Sequence, residues 1–151
     1  MNRRTFLTGS ALGGAALLTV GGRADAAEWT ALERANVKVV NDFIAARVAL
    51  RNRKASLEDW NKKMAEFAVE DLMFTAHSVG DFKPQVKIAA GPGPFTHITM
   101  TILETFAKGP VVMHERVDVM SFADRPDSTG RFTGIFALKD GKIHEFIDYH
   151  W

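Results

Sequence analysis

The spacing of apolar residues along the chain changes once, from a helical to an extended period. Over residues 30–50, Val37, Val40, Phe43, Ile44 and Val48 recur at intervals of three and four, which places them on one face of a long amphipathic helix. Thr30 and Glu33 stand three apart at its start. There a hydroxyl and a carboxylate each satisfy a backbone N–H that the first turn leaves unpaired. Arg51-Asn52-Arg53-Lys54 interrupts the pattern and reads as a solvated loop. Ser56, with Asp59 three residues on, caps a second helix whose Leu57, Trp60, Met64 and Phe67 form a stripe suited to core packing.

From Asp71 onward the period is two. Residues 72–77 and 85–90 read as short strands, and 96–106 alternates Ile98, Met100 and Ile102 against His97, Thr99 and Thr101. Longer strands are expected over 111–122 and 132–138, and Asp140-Gly141 is a hairpin turn into a last strand over 142–151. Gly91-Pro92-Gly93-Pro94 cannot be helix interior, lacks the spacing of a phosphate-binding loop and reads as a turn. Two helices followed by a curled, mainly antiparallel sheet of four to six strands make an α+β fold. No internal repeat or linker divides 27–151, so this stretch is read as one domain.

Composition narrows the function classes. The chain has 151 residues, 46% hydrophobic and 25% charged, with 19 Lys+Arg against 18 Asp+Glu and no Cys. That is the profile of one globular domain with a true core. The near balance of charge argues against nucleic acid as a partner, because phosphate binding needs a clustered basic face. Absence of Cys removes thiolate metal sites and thiol nucleophiles.

The first residues belong to a different kind of segment. Arg3-Arg4-Thr5-Phe6-Leu7 precedes a weakly apolar Ala/Gly/Leu stretch, and Ala24-Asp25-Ala26 offers small residues on either side of one position. This arrangement resembles a twin-arginine (Tat) signal peptide. The resemblance implies export by that machinery, cleavage after Ala26, no stable membrane insertion after the signal is removed, and a periplasmic mature protein. Loss of 1–26 removes Arg3, Arg4, Arg23 and Asp25 and turns the formal charge of +1 into −1.

Charges inside strands are the informative chemistry. In 111–122 one face carries Val112, His114, Arg116, Asp118, Met120 and Phe122, while the other carries Val111, Met113, Glu115, Val117, Val119 and Ser121. Both faces are mixed, so alternation alone does not say which points inward. In the last strand His144, Phe146, Asp148 and His150 share a face. If the two strands lie close together, Arg116, Asp118 and Asp148 meet. Two carboxylates on one guanidinium can titrate apart, one staying protonated as a general acid while the other acts as a base. A solvated cross-strand pair, stabilising by about 0.2–1 kcal/mol, is the plain alternative. His114 and His150 would line a pocket with Met120 and Phe132. The five histidines contain no close-spaced pair, so no metal and no cofactor is expected.

Glu115-Arg116-Val117-Asp118-Val119, residues 134–143 and Asp148-Tyr149, together with two N-terminal helices and Glu70-Asp71 entering the first strand, resemble the limonene-1,2-epoxide hydrolase family of the NTF2-like, SnoaL-like superfamily. The resemblance implies a cone of helices on a strongly curved sheet around an apolar pocket, in a homodimer. It implies one-step addition of water to a small apolar epoxide, with Asp148 as base, Asp118 as acid and Arg116 holding both. Where the family places a water-holding Tyr and Asn, this chain has Phe74 and Ala76, with His77 the neighbouring polar candidate. That departure keeps two other readings in view: a non-catalytic small-molecule-binding protein, and an isomerase or cyclase of the same superfamily.

Overall fold

The computed structural model describes residues 29–78, 81–82, 86–91 and 94–150. The expected leader over 1–26 and the Pro92-Gly93 centre of the expected turn lie outside the described residues.

Helix α1 (Ala31–Asn52) begins with the expected capping box. The Thr30 N–H donates to Glu33 Oε2 at 2.7 Å and the Glu33 N–H donates to Thr30 Oγ1 at 3.2 Å. Glu33 has a second task, since its Oε1 accepts the Gly109 N–H at 2.8 Å, while Asn36 Nδ2 donates to the Gly109 carbonyl at 3.0 Å. The start of α1 is thereby tied to the connection between strands β4 (His97–Lys108) and β5 (Val111–Ser121). The Gly109 N–H, then the Thr30 N–H and hydroxyl, bring the Glu33 carboxyl from 4.5 down to about 2. Because the folded value lies below the unfolded one, this contribution is complete above pH 4.5 and disappears as the pH falls toward 2. Glu33→Gln should flatten the acid limb of a stability–pH curve in that window. An unchanged limb would detach Glu33 from acid unfolding.

The far end of α1 runs past the expected break. Arg51 and Asn52 belong to its last turn, and Asn52 exchanges two hydrogen bonds of 2.8 Å with the backbone of Ile98, docking the helix on β4. Helix α2 (Leu57–Met64) is capped by Ser56, buries Trp60 and Met64, and sends the Trp60 indole N–H to the Ile88 carbonyl at 2.8 Å. Leu57, expected in its apolar stripe, is exposed at the first helical position.

Strand β1 (Met73–Ser78), the two-residue strands β2 (Asp81–Phe82) and β3 (Val86–Lys87), β4, β5, β6 (Ser128–Lys139) and β7 (Lys142–His150) form one sheet. Its order is β2-β1-β7-β6-β5-β4, with β3 also on β1. β1 runs parallel to β7 and the other pairs are antiparallel, so the sheet is mixed. Asp140 and Gly141 join β6 to β7 with φ of 51° and 74°, the left-handed pair that a tight hairpin requires.

α1 lies on the inner face of this sheet. Phe43 meets Phe136 and Phe146 edge-on with centroids at 6.2 and 5.9 Å, and those two rings stack on each other at 4.4 Å. Val37, Val40, Ile44 and Leu50 complete the helix side of the core, with Val112, Leu138 and Ile143 opposite. A register shift between Ala137 and Leu138 lets Ile143 and Phe146 both point inward, three residues apart. His144 is therefore turned out to solvent and does not share the Asp148 face. Among the described residues no helix is long and apolar enough to cross a membrane.

Candidate active site

β5 alternates cleanly: Val112, His114, Arg116 and Asp118 are buried, and Val111, Met113, Glu115 and Val117 are half-buried on the outer face. On β7, Phe146 and Asp148 point the same way as that buried set. β6 lies between them, and its register sets Phe132 between Arg116 and His150 and Gly134 between His114 and Asp148. Arg116 and Asp148 are thus two strands apart and can meet only across β6.

They meet over Gly134. Arg116 Nη1 donates to Asp148 Oδ1 at 2.8 Å and Nη2 donates to Oδ2 at 2.6 Å, a two-pronged pair. Arg116 Nε donates to both oxygens of Asp118, at 3.0 and 3.2 Å. Arg116, Asp118 and Asp148 are 1%, 3% and 4% exposed. A Cβ at position 134 would stand 2.6 Å from Arg116 Nη1 and 3.0 Å from Asp148 Oδ1, so only glycine leaves room for the guanidinium to cross. Gly134 is a position this arrangement requires that the charged residues alone did not reveal.

The groups around this pair differ in state. Burial raises the Asp118 carboxyl above the ordinary carboxylate range, outweighing the Arg116 charge beside it. Burial opposes the Arg116 charge too, but Asp148 and then Asp118 prevail and raise the guanidinium further. His114, fully buried, is lowered to about 4 by burial and then by Arg116, so it is neutral at pH 7. Neither of its ring nitrogens has a hydrogen-bond partner among the described residues.

The other expected pocket residues divide by face. Ala76 pairs with Asp148 and Phe74 with Phe146 along the parallel β1–β7 ladder, and the Phe74 and Phe146 rings lie 4.8 Å apart. Ala76 therefore neighbours Asp148, and Phe74 neighbours Phe146 on the same face. His77 does not share it: alternation turns it to the outer face, where it stacks on the exposed Tyr149 at 5.1 Å. It is not available to hold a water on Asp148. Phe132 lies under the Arg116 guanidinium at 5.2 Å and stacks on His150 at 4.9 Å. Phe132 and Met120 are half-buried and His150 is exposed, so this end of the site approaches solvent. Clefts of about 330 Å³ beside Ala49, Arg53 and Lys62, and of about 500 Å³ beside Thr75, His144 and Ile147, contain none of the three charged residues in their walls.

Two further arginines reach the site from α1. Arg47 is 3% exposed, with its guanidinium 5.0–5.6 Å from the ring centres of Phe43, Phe74 and Phe146. Arg51 lies 5.7 and 5.0 Å from the rings of Trp60 and Phe95. Arg51 was expected in a solvated loop; it is half-buried because α1 continues through Asn52. Arg47 carries a visible sequence signal, since it occupies the i+3 and i+7 position of the apolar stripe running from Val40 through Ile44. Among the described residues no group of three or more His, Asp or Glu could hold a metal ion.

No family model matches the chain, and no curated protein matches it. Solved structures do. A protein named for the SnoaL-like polyketide cyclases, from Jannaschia, superposes with a TM-score of 0.62 at 15% identity, covering 82% of this chain and 90% of that one. The fold is the NTF2-like cone. An NTF2-like protein of Anabaena variabilis gives 0.61 at 16% identity, covering 82% and 95%. An LEH-like epoxide hydrolase of M. tuberculosis gives 0.57 at 19% identity, covering 79% and 84%. The NTF2-like cone thus includes proteins named for hydrolysis and for cyclisation, and the chemistry of this one must be argued from its own side chains.

Proposed function

We propose that this chain is a one-step epoxide hydrolase acting on a small epoxide with an apolar body. The observation that carries the reading is one buried guanidinium, Arg116, bonded to two carboxylates. Asp148, held on both oxygens, keeps free lone pairs and takes a proton from water as the water oxygen attacks an epoxide carbon. The carbon–oxygen bond breaks, and protonated Asp118 delivers its proton to the departing oxygen. The product is a vicinal diol, Asp118 is left ionised and Asp148 protonated, and exchange of one proton resets the centre. No covalent intermediate is required. We propose also that the protein loses 1–26 and works in the periplasm, a reading that rests on the resemblance of Arg3-Arg4 and the stretch after it to a twin-arginine leader. We propose that it forms a homodimer, as the family resemblance implies.

A panel of small aliphatic and cyclic epoxides, incubated with the protein lacking 1–26, should yield diol. Asp118→Asn should remove most of that activity while leaving the fold intact. Absence of diol from every epoxide would contradict the proposal.

A second reading draws on Phe74 and Ala76, which give a water beside Asp148 no side-chain donor or acceptor. It makes the cone a binder of small molecules, or an isomerase in which Asp148 or Asp118 moves a proton next to a carbonyl. Ligand-induced stabilisation without product supports the first form, and deuterium exchange into a ketone supports the second.

A further inference from the structure

The buried charges of this site are not all hydrogen-bonded to one another. Arg47 and Arg116 are buried with Asp118 and Asp148, half-buried Arg51 adds a third positive charge within electrostatic reach, and among the described residues only Arg116 hydrogen-bonds those carboxylates. Arg47 Nε and Nη1 and Arg51 Nε are buried with no hydrogen-bond partner among the described residues. Rings around Arg47 attract its charge, but a ring face does not replace the oxygen lone pairs that N–H donors lose on leaving water. Burial, followed by the like charge of Arg51, brings the Arg47 guanidinium down to about 9, so it is charged at neutral pH. An unpaired buried cation is strongly unfavourable and is relieved when an anion arrives.

Placement points the same way. Arg47 lies against Phe74 and Phe146, the aromatic pair two residues before Ala76 and Asp148 on their strands. Arg51, in the last turn of α1, lies against the half-buried Phe95. We infer that the site takes a small organic carboxylate, its anionic group accepting from Arg47 with Arg51 in support and its apolar body lying against Phe74, Phe95 and Phe132. The inference stands on Arg47 and goes beyond hydration, since it holds for a substrate, a product or a non-reacting ligand alike.

The test is a binding measurement that needs no turnover. The probes are acetate, benzoate, phenylacetate, cyclohexanecarboxylate and octanoate, each beside its uncharged carboxamide, read by thermal shift and calorimetry. At least one carboxylate should raise the Tm and bind more weakly as salt increases, while its amide binds about 10- to 100-fold less tightly. Arg47→Leu should lose binding by about the same factor and, in the absence of ligand, melt higher than the wild type because an unpaired charge is gone. Arg47→Lys should retain part of the binding, and Asp148→Asn, one negative charge fewer, should tighten it. Equal affinity for acid and amide, no response to any carboxylate, or undiminished binding in folded Arg47→Leu would each overturn the assignment. Failure of epoxide turnover would leave all of these outcomes readable.

Discussion

Gly134→Ala should destabilise the protein by about 2–4 kcal/mol, although it adds one methyl group to a strand where alanine is otherwise acceptable. The added Cβ would stand 2.6 Å from Arg116 Nη1. Were that nitrogen the end of a mobile side chain, the clash would relax at little cost. Here Nη1 and Nη2 are fixed on Asp148 and Nε on Asp118, so movement at one end disturbs every bond of the guanidinium. The displaced arrangement leaves charges buried and poorly paired, which is what makes it costly. Urea unfolding of Gly134→Ala, Arg116→Met and the double variant checks the cause. With the guanidinium gone, the methyl group should cost much less than it does in the wild type. Equal cost in both backgrounds would mean that Gly134 answers to the backbone rather than to Arg116.

Asp148→Asn should lower epoxide turnover by about 10²–10⁴-fold, the usual contribution of a positioned general base. The amide fills the same space and still accepts one Arg116 hydrogen bond, so the fold should survive while proton acceptance ends. Asp118→Asn should cost a comparable factor by removing the proton that the epoxide oxygen needs. Burial favours the protonated form of Asp118, so turnover should fall as the pH rises through its raised pKa. Rates for the three proteins measured at one pH and on one epoxide decide the matter. Turnover in Asp148→Asn equal to the wild type would remove Asp148 from the reaction.

Much of this architecture was legible in the sequence because local rules and tertiary context agree. The Thr30–Glu33 box, the Ser56 cap and the Asp140-Gly141 turn each work through a few adjacent residues, and the structure shows all three. The meeting of Arg116 with Asp118 and Asp148 was legible as a set. Its direction was not, since the inner face of β5 is itself half charged and hydrophobic alternation has nothing to decide with. His77 was misplaced although Ala76 beside it was not, and strict alternation along β1 explains why one excludes the other from the Asp148 face. His144 was beyond reach, because the irregularity opposite Ala137 and Leu138 depends on pairing between strands. Arg47 was readable in principle: a cation within an apolar helical stripe signals either strain or a partner. Gly134 gained its meaning only when Arg116 was seen to cross it.

The central claim is that Asp148 activates water for direct attack. Its most direct test is a single-turnover reaction in ¹⁸O-labelled water, with enzyme in excess over an epoxide and Asp148→Asn run in parallel. The account predicts label in the diol on the first turnover by the wild type, no label in the protein, and almost no diol from Asp148→Asn. Unlabelled diol with ¹⁸O later found in a carboxylate, or equal diol from both proteins, would contradict it.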